Sequence, residues 1–281
     1  SNKGIEIALS ANVINSGDFN WNSRVNFTRN VFRVEELAPG VDEQPVTAGF
    51  SGFSVTAVPG EDLALFGTTW LRDSVTGRPV VDSRTGLRLP SGENEKIGDL
   101  NPEFLLGWSN QISFKGITLS FLIDWRQGGD ILVGTNRNLR NVGLAEETLI
   151  GREGSVIDAE AVILDESGVA RDNDIAVSSE DFWENYSSST VLESSIFDAS
   201  FVKLRELRLA YSLPKSLISN TPFKSVTFGL EARNVAILFS NTQHIDPEAS
   251  LFQSGDIAAG AEERFSIPNT RSLGFNLRLE L

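Results

Sequence analysis

The chain has 281 residues, a formal net charge of −14, 40% hydrophobic and 22% charged residues, and neither cysteine nor methionine. The negative charge and the lack of any Lys/Arg cluster argue against nucleic acid as a partner, and the absence of cysteine excludes disulfides, thiol catalysis and thiolate metal sites. No stretch approaches 18 consecutive apolar residues, which excludes a helical membrane protein but not a β-barrel, whose strands hide from hydropathy by alternating.

Without an initiator methionine or a signal-peptide segment, the chain reads as a processed or partial polypeptide. Seven segments alternate with the period of two that marks a β-strand having one apolar and one polar face. Residues 4–12 set Ile5, Ile7, Leu9 and Ala11 against Glu6, Ala8 and Ser10. Residues 19–29 set Phe19, Trp21, Val25 and Phe27 against Asn20, Asn22, Arg24, Asn26 and Thr28. Residues 103–114 and 117–126 follow, with Trp108 and Trp125 on their apolar faces and Asp124 and Arg126 on the polar face of the second. Residues 200–212 place Leu207, Leu209 and Tyr211 opposite Glu206 and Arg208, and residues 225–235 place Phe228 and Leu230 opposite Glu231 and Arg233. The last, 271–281, alternates Leu273, Phe275, Leu277, Leu279 and Leu281 with Gly274, Asn276, Arg278 and Glu280 over the roughly 9–11 residues that a tilted strand needs to cross a bilayer.

Alternation alone would suit a secreted β-sandwich equally well. The connections separate the two readings. Those at 13–18, 115–116 and 213–224 are short, whereas 30–102, 127–199 and 236–269 are very long, and short and long alternate strictly. Outer-membrane barrels have this asymmetry, with short periplasmic turns and long extracellular loops. Compact domains rarely carry loops beyond about 12–15 residues. The expectation is therefore an all-β, antiparallel transmembrane barrel segment in the outer membrane, its C-terminus periplasmic and its long loops extracellular. One strand conflicts with its own pattern: Lys203 and Arg205 share the phase of Leu207 and Leu209. Either they sit at the outer rim and snorkel, or a β-bulge resets the phase.

Several stretches resemble the C-terminal third of SusC/RagA-type TonB-dependent transporters of Bacteroidota. The most specific is FDASFVKLRELRLAYSLP at 197–214. GIEI at 4–7, IGDLNPEF at 97–104, FKGITLS at 114–120, RQGGDI at 126–131, RNV at 233–235, DPE at 246–248 and PNTR at 268–271 follow the family's order. The resemblance implies about seven C-terminal strands of a roughly 22-stranded barrel, with an N-terminal plug that lies outside this chain. It further implies a SusD-like surface lipoprotein as lid, energy from TonB-ExbB-ExbD, and import of oligosaccharide or peptide fragments.

No catalytic constellation, P-loop, dinucleotide fingerprint or H-E-x-x-H motif is present, so neither an enzyme nor a cofactor is expected. His244, the single histidine, reads as a loop residue. The acidic run 158–181 reads as a solvated face, with Asp172, Asp174 and Asp181 as calcium candidates. Trp21, Trp108 and Trp125 are expected in a membrane-interface belt. Trp70 and Trp183, in long connections, are candidates for stacking on sugar or for packing within the loops. Asp124, Arg126, Glu206, Arg208, Glu231 and Arg233 either line a substrate route or pair across strands. Two other roles stay open: a structural or docking subunit of a larger envelope or secretion assembly, and a secreted all-β binding module.

Overall fold

A computed structural model describes residues 1–49, 52–242, 244–250 and 258–281. Its largest element is a seven-stranded antiparallel sheet of β1 (Asn2–Ser16), β2 (Phe19–Phe32), β3 (Phe104–Phe114), β4 (Ile117–Gln127), β5 (Phe201–Ser212), β6 (Ser225–Ser240) and β7 (Ser272–Glu280). The strands lie side by side in chain order, an up-and-down meander. The sheet is open: among the described residues the outer edges of β1 and β7 pair with nothing.

Local chemistry accounts for the hairpins. Lys115 and Gly116 join β3 to β4 with φ of 47° and 84°, the doubly positive backbone of the turn type that matches strand twist. A side chain at Gly116 would meet the Ser212 carbonyl oxygen at 2.8 Å. In the first hairpin the register skips between Asn12 and Ile14. This bulge at Val13 turns Ile14 to the same side as Trp21 and carries β1 on to Ser16, four residues past the end that alternation predicts.

The two faces differ sharply. One presents Ile5 (59% exposed), Leu9 (64%), Leu230 (60%), Leu273 (81%) and Phe275 (66%), with none of the described residues packed over them. Among the described residues, the only buried apolar side chains in the seven strands are Phe201, Ala210 and Val226. The opposite face carries Asn22, Asn26, Gln111, Ser120, Arg208 and Glu231 in register. The apolar core of the molecule thus lies outside the large sheet.

That core is built by the long connections, which fold together. The first contributes a four-stranded sheet of Gln44–Ala48, Ser54–Ala57, Ala64–Trp70 and Pro90–Asp99. The second contributes helices α1 (Gly134–Asn141) and α2 (Ser179–Tyr186), which the all-β expectation omitted. A three-stranded sheet joins Asp130–Val133 and Ile196–Asp198 of the second to Glu262–Glu263 of the third. Phe53, Val55, Leu65 and Leu100 pack against Leu132 and Leu192 and against Ala258 and Ala261, so all three connections share one core.

The first connection also holds a tandem turn. Residues 73–77 (DSVTG) and 82–86 (DSRTG) repeat at nine-residue spacing. In each copy the aspartate side chain accepts from the backbone of the threonine, and the aspartate carbonyl accepts from the glycine N–H at 2.8 Å. The glycines have φ of 69° and 71°, and a Cβ on Gly86 would meet Ile175 at 2.8 Å.

Leu65 is fully buried at the centre of the shared core. Leu65→Ala is expected to cost about 2–5 kcal/mol of that body's stability. Limited proteolysis is expected to show faster cleavage within 33–103 while the strand segments stay protected.

Candidate functional site

The polar face of the sheet meets the folded connections at the upper end of β5. Its sequence asks for two incompatible alternations, and a bulge reconciles them. Leu204 lies opposite Ile123 and Glu206 opposite Leu122, so Arg205 is the extra residue. Above the bulge, Phe201 and Lys203 lie opposite Arg126 and Asp124; below it, Arg208 and Ala210 lie opposite Ser120 and Thr118. Both halves of β5 therefore keep their aliphatic residues on the apolar face. Of the two sequence alternatives, rim snorkelling is overturned and the phase-resetting bulge holds, returning Lys203 to the polar side.

Lys203 is 0% exposed. Its ammonium donates to Asp246 Oδ1 and to Glu248 Oε2, the latter at 2.7 Å. Arg205 donates to Asp124 Oδ2 through Nε (2.9 Å) and Nη2 (2.6 Å) and grips both oxygens of Glu248. The Phe201 ring centroid lies 5.5 Å from the Lys203 ammonium and 5.9 Å from the Arg205 guanidinium, within range of cation–π attraction. Asp246 also accepts from the Glu248 N–H at 3.2 Å and the Asn269 N–H at 3.0 Å. Five charges thus bind β4, β5, the 244–250 segment and the approach to β7 into one network.

Burial pushes the Asp246 and Glu248 carboxyls up, but the hydrogen bonds they accept more than offset it and hold both below their ordinary values. Lys203 is the principal donor to Asp246, and Arg205 and Lys203 are the donors to Glu248.

Beside the network lies a cleft of about 750 Å³ lined by Asn26, Asp124, Arg205, Glu206, Arg233, Asn234, Glu248 and Asn269. A second, of about 520 Å³, lies further down the polar face, with Asn22, Arg24, Gln111, Glu206 and Arg208 in its lining. A third, of about 660 Å³, includes Thr135, Asn234, His244, Asp246, Glu263 and Phe265. Among the described residues, Asn234, His244 and Phe265 are three of the four non-glycine residues with positive φ. Such strained backbone gathers where the surrounding structure over-determines it.

The six sequence-predicted charges divide. Glu206 and Arg233 share the 750 Å³ cleft, with Asp124 committed to Arg205. Arg126 turns to the backbone, donating to the Gly128 and Leu100 carbonyls at 3.3 Å. Glu206 faces Arg233 and Arg208 faces Glu231 in register. None of these four is in an ion pair among the described residues. The sequence reading missed Lys203, Arg205, Asp246, Glu248 and Asn269 as site residues. The available signal was three charges within four residues on both phases of β5.

The tryptophans also divide. Trp21 and Trp108 donate to Asn110 Oδ1 and Ser23 Oγ on the apolar face, each at 2.9 Å. Trp108 lies at mid-strand, whereas Trp21 lies near the β1–β2 turn and Trp125 near the opposite end. Trp70 and Trp183 are 2% and 7% exposed. Trp183 packs against Phe182 and Tyr186 at 5.1 and 5.7 Å, so neither ring is offered as a stacking platform. The calcium candidates point to separate tasks: Asp172 pairs with Arg78 at 2.6 Å, Asp174 with Arg171 at 2.9 Å, and Asp181 bonds Ser178 at the start of α2. No group of three metal-ligating side chains converges among the described residues.

No protein-family model matches the chain. It is 23% identical over 303 residues to TonB-dependent receptor P3 of Formosa agariphila, covering 99% of this chain and 28% of that receptor. To TonB-dependent receptor P26 of the same organism it is 26% identical over 301 residues, covering 98% and 29%. Among solved structures it resembles the RagAB peptide importer in the closed-closed state, with TM-score 0.68, 19% identity and coverage of 99% of this chain and 29% of the other. The open-open state gives TM-score 0.69 and 18% identity, with coverage of 100% and 28%. The chain is thus distantly homologous to TonB-dependent receptors, shares the fold of part of the RagAB importer, and spans under a third of the length of these proteins.

Two outcomes are expected of the network. Lys203→Met leaves the Asp246 and Glu248 carboxylates with less compensation, and breaking a buried pair of this kind costs about 3–5 kcal/mol. Hydrogen exchange should show lost protection in residues 244–250. Both carboxyls have depressed pKa values in the fold, so their contribution is fully present above the ordinary values of 3.8 and 4.5 and is lost as pH falls below them. Protease protection of the same segment is expected to hold at neutral pH and to fall on acidification below about pH 4.

Proposed function

From this distant kinship and the unpacked apolar face, we propose that the chain supplies C-terminal wall strands and mouth loops of an outer-membrane, TonB-dependent importer. The observation that carries the reading is the large sheet itself. Its strands run for 9 to 16 residues, enough to cross a hydrocarbon core. They alternate short and long connections, and among the described residues nothing covers their apolar side. A secreted sandwich would pack that side against a second sheet; a barrel turns it to lipid.

In this reading the short connections are periplasmic and the body built on 33–103, 128–200 and 241–271 stands at the extracellular mouth. The polar face lines the lumen. Glu206, Arg208, Glu231 and Arg233 present both charge signs to what passes or docks there, and the Lys203–Asp246 network anchors the third loop to the wall. Transport proceeds without covalent chemistry. A SusD-like lipoprotein is the expected lid, TonB-ExbB-ExbD the energy source, and an oligosaccharide or peptide the cargo; the RagAB likeness favours peptide.

Leu207→Arg or Leu277→Arg in the full polypeptide puts a cation into lipid, at a cost of about 2–4 kcal/mol near the bilayer midplane. Heat-modifiable migration of the assembled protein on a gel is expected to be lost or reduced in both variants. Unchanged migration of both would sink the lipid-facing assignment. Uptake of labelled peptides by cells carrying the gene, abolished on dissipating the proton gradient, tests the transport role.

A further inference from the structure

The apolar face carries a concavity. Ile117, Leu209, Tyr211, Phe228, Leu230 and Phe275, from four successive strands, line a groove of about 480 Å³ whose exposed lining is almost wholly apolar. All six are between 41% and 66% exposed, so none of the described residues fills it. It lies toward the short-connection end: Ile117 opens β4 and Tyr211 is the penultimate residue of β5.

Glu280 at the end of β7 aside, the connections at that end carry charge opposite to that of the chain. The connections 17–18, 115–116 and 213–224 hold Lys115, Lys215 and Lys224 against a single acid, Asp18, in a protein of net charge −14. Lys115 borders the groove at its Ile117 end without lining it. It precedes Ile117 by two residues, and its ammonium lies 5.3 Å from the ring centroid of Phe114, itself an exposed member of the apolar face. The φ of 47° at Lys115 is fixed by the tight β3–β4 turn. A cation on the turn beside an apolar groove matches a ligand that joins a negative head to a hydrocarbon tail.

Resting on the membrane reading above, we propose that this groove is a site for an anionic phospholipid of the periplasmic leaflet. An acyl chain lies along Leu209, Leu230 and Phe275, and the headgroup phosphate sits at Lys115. A zwitterionic lipid would fill the groove without gaining from the excess of lysine.

The test uses the full polypeptide purified in a non-ionic detergent. Phosphatidylglycerol and phosphatidylcholine of identical acyl chains are titrated in separately, and retained lipid is counted by native mass spectrometry. Phosphatidylglycerol is expected to be retained about fivefold better, the factor one lysine near an anionic surface is worth. Lys115→Glu is expected to erase that preference, and Lys115→Gln, a milder change on an exposed turn, to reduce it. Leu230→Trp, which fills the groove, should lower retention of both lipids. Equal retention of the two lipids by the parent protein, or a preference that survives Lys115→Glu, overturns the site. Heat-modifiable migration is read on the same samples. Its absence in the parent protein overturns the barrel reading and the site with it, whereas normal migration without lipid preference overturns the site alone.

Discussion

A sheet whose strands alternate with period two creates an apolar face that water cannot be left to cover. Burial of apolar surface is worth about 25 cal/mol per Å², and a face spanning seven strands must find a cover. Among the described residues nothing supplies one. The helices and small sheets of the long connections pack on each other, and Phe53, Leu65 and Leu132 form their core among themselves. The outer row from Ile5 to Phe275 stays bare. The rest of the architecture follows: strict alternation of short and long connections, polar side chains gathered on one side, and globular material at one end.

The bulge at Arg205 is where the sheet and the connections become one structure. A regular β5 would send Lys203 and Arg205 to the apolar face, where each charge would lack a partner. One extra residue turns Lys203 inward and leaves Arg205 between Asp124 and Glu248. The buried ammonium then needs carboxylates, and Asp246 and Glu248 bring the third connection with them. Buried ion pairs seldom add net stability over apolar packing, and their value lies in specifying geometry. Here they fix which segment stands over the upper polar face and at what height on the wall. Asn269, bonded through its N–H to Asp246, carries the same constraint to the start of β7.

Much of this was legible in the sequence. All seven strands of the large sheet, their faces and their antiparallel order follow from period-two alternation and from connection length, because strand periodicity is written residue by residue. The ends were less so. The bulge at Val13 interrupts the alternation of β1, and β6 runs to Ser240 through register irregularities opposite Val202 and Arg205. The fold of the connections was not legible, since three separate segments create one core and no local pattern announces such pairings. Trp70 and Trp183 show the consequence: the sequence leaves sugar stacking and packing within the loops equally open, and both rings are buried. The DSVTG and DSRTG turns were a repeat open to inspection at nine-residue spacing that periodicity analysis passes over. The site was half legible. Glu206, Arg208, Glu231 and Arg233 were placed on the correct face, but the network depends on a bulge, and a bulge shows in sequence only as a conflict of phases.

The central claim is that the bare face meets lipid and the opposite face meets water. The most direct measurement is a nitroxide scan along Ser272–Glu280 in the full polypeptide reconstituted into bilayers, one labelled cysteine at a time. The account predicts high collision rates with dissolved oxygen at positions 273, 275, 277 and 279, and with a water-soluble nickel complex at 274, 276 and 278. Uniform access to the nickel complex, or oxygen and nickel profiles rising in phase, would contradict it.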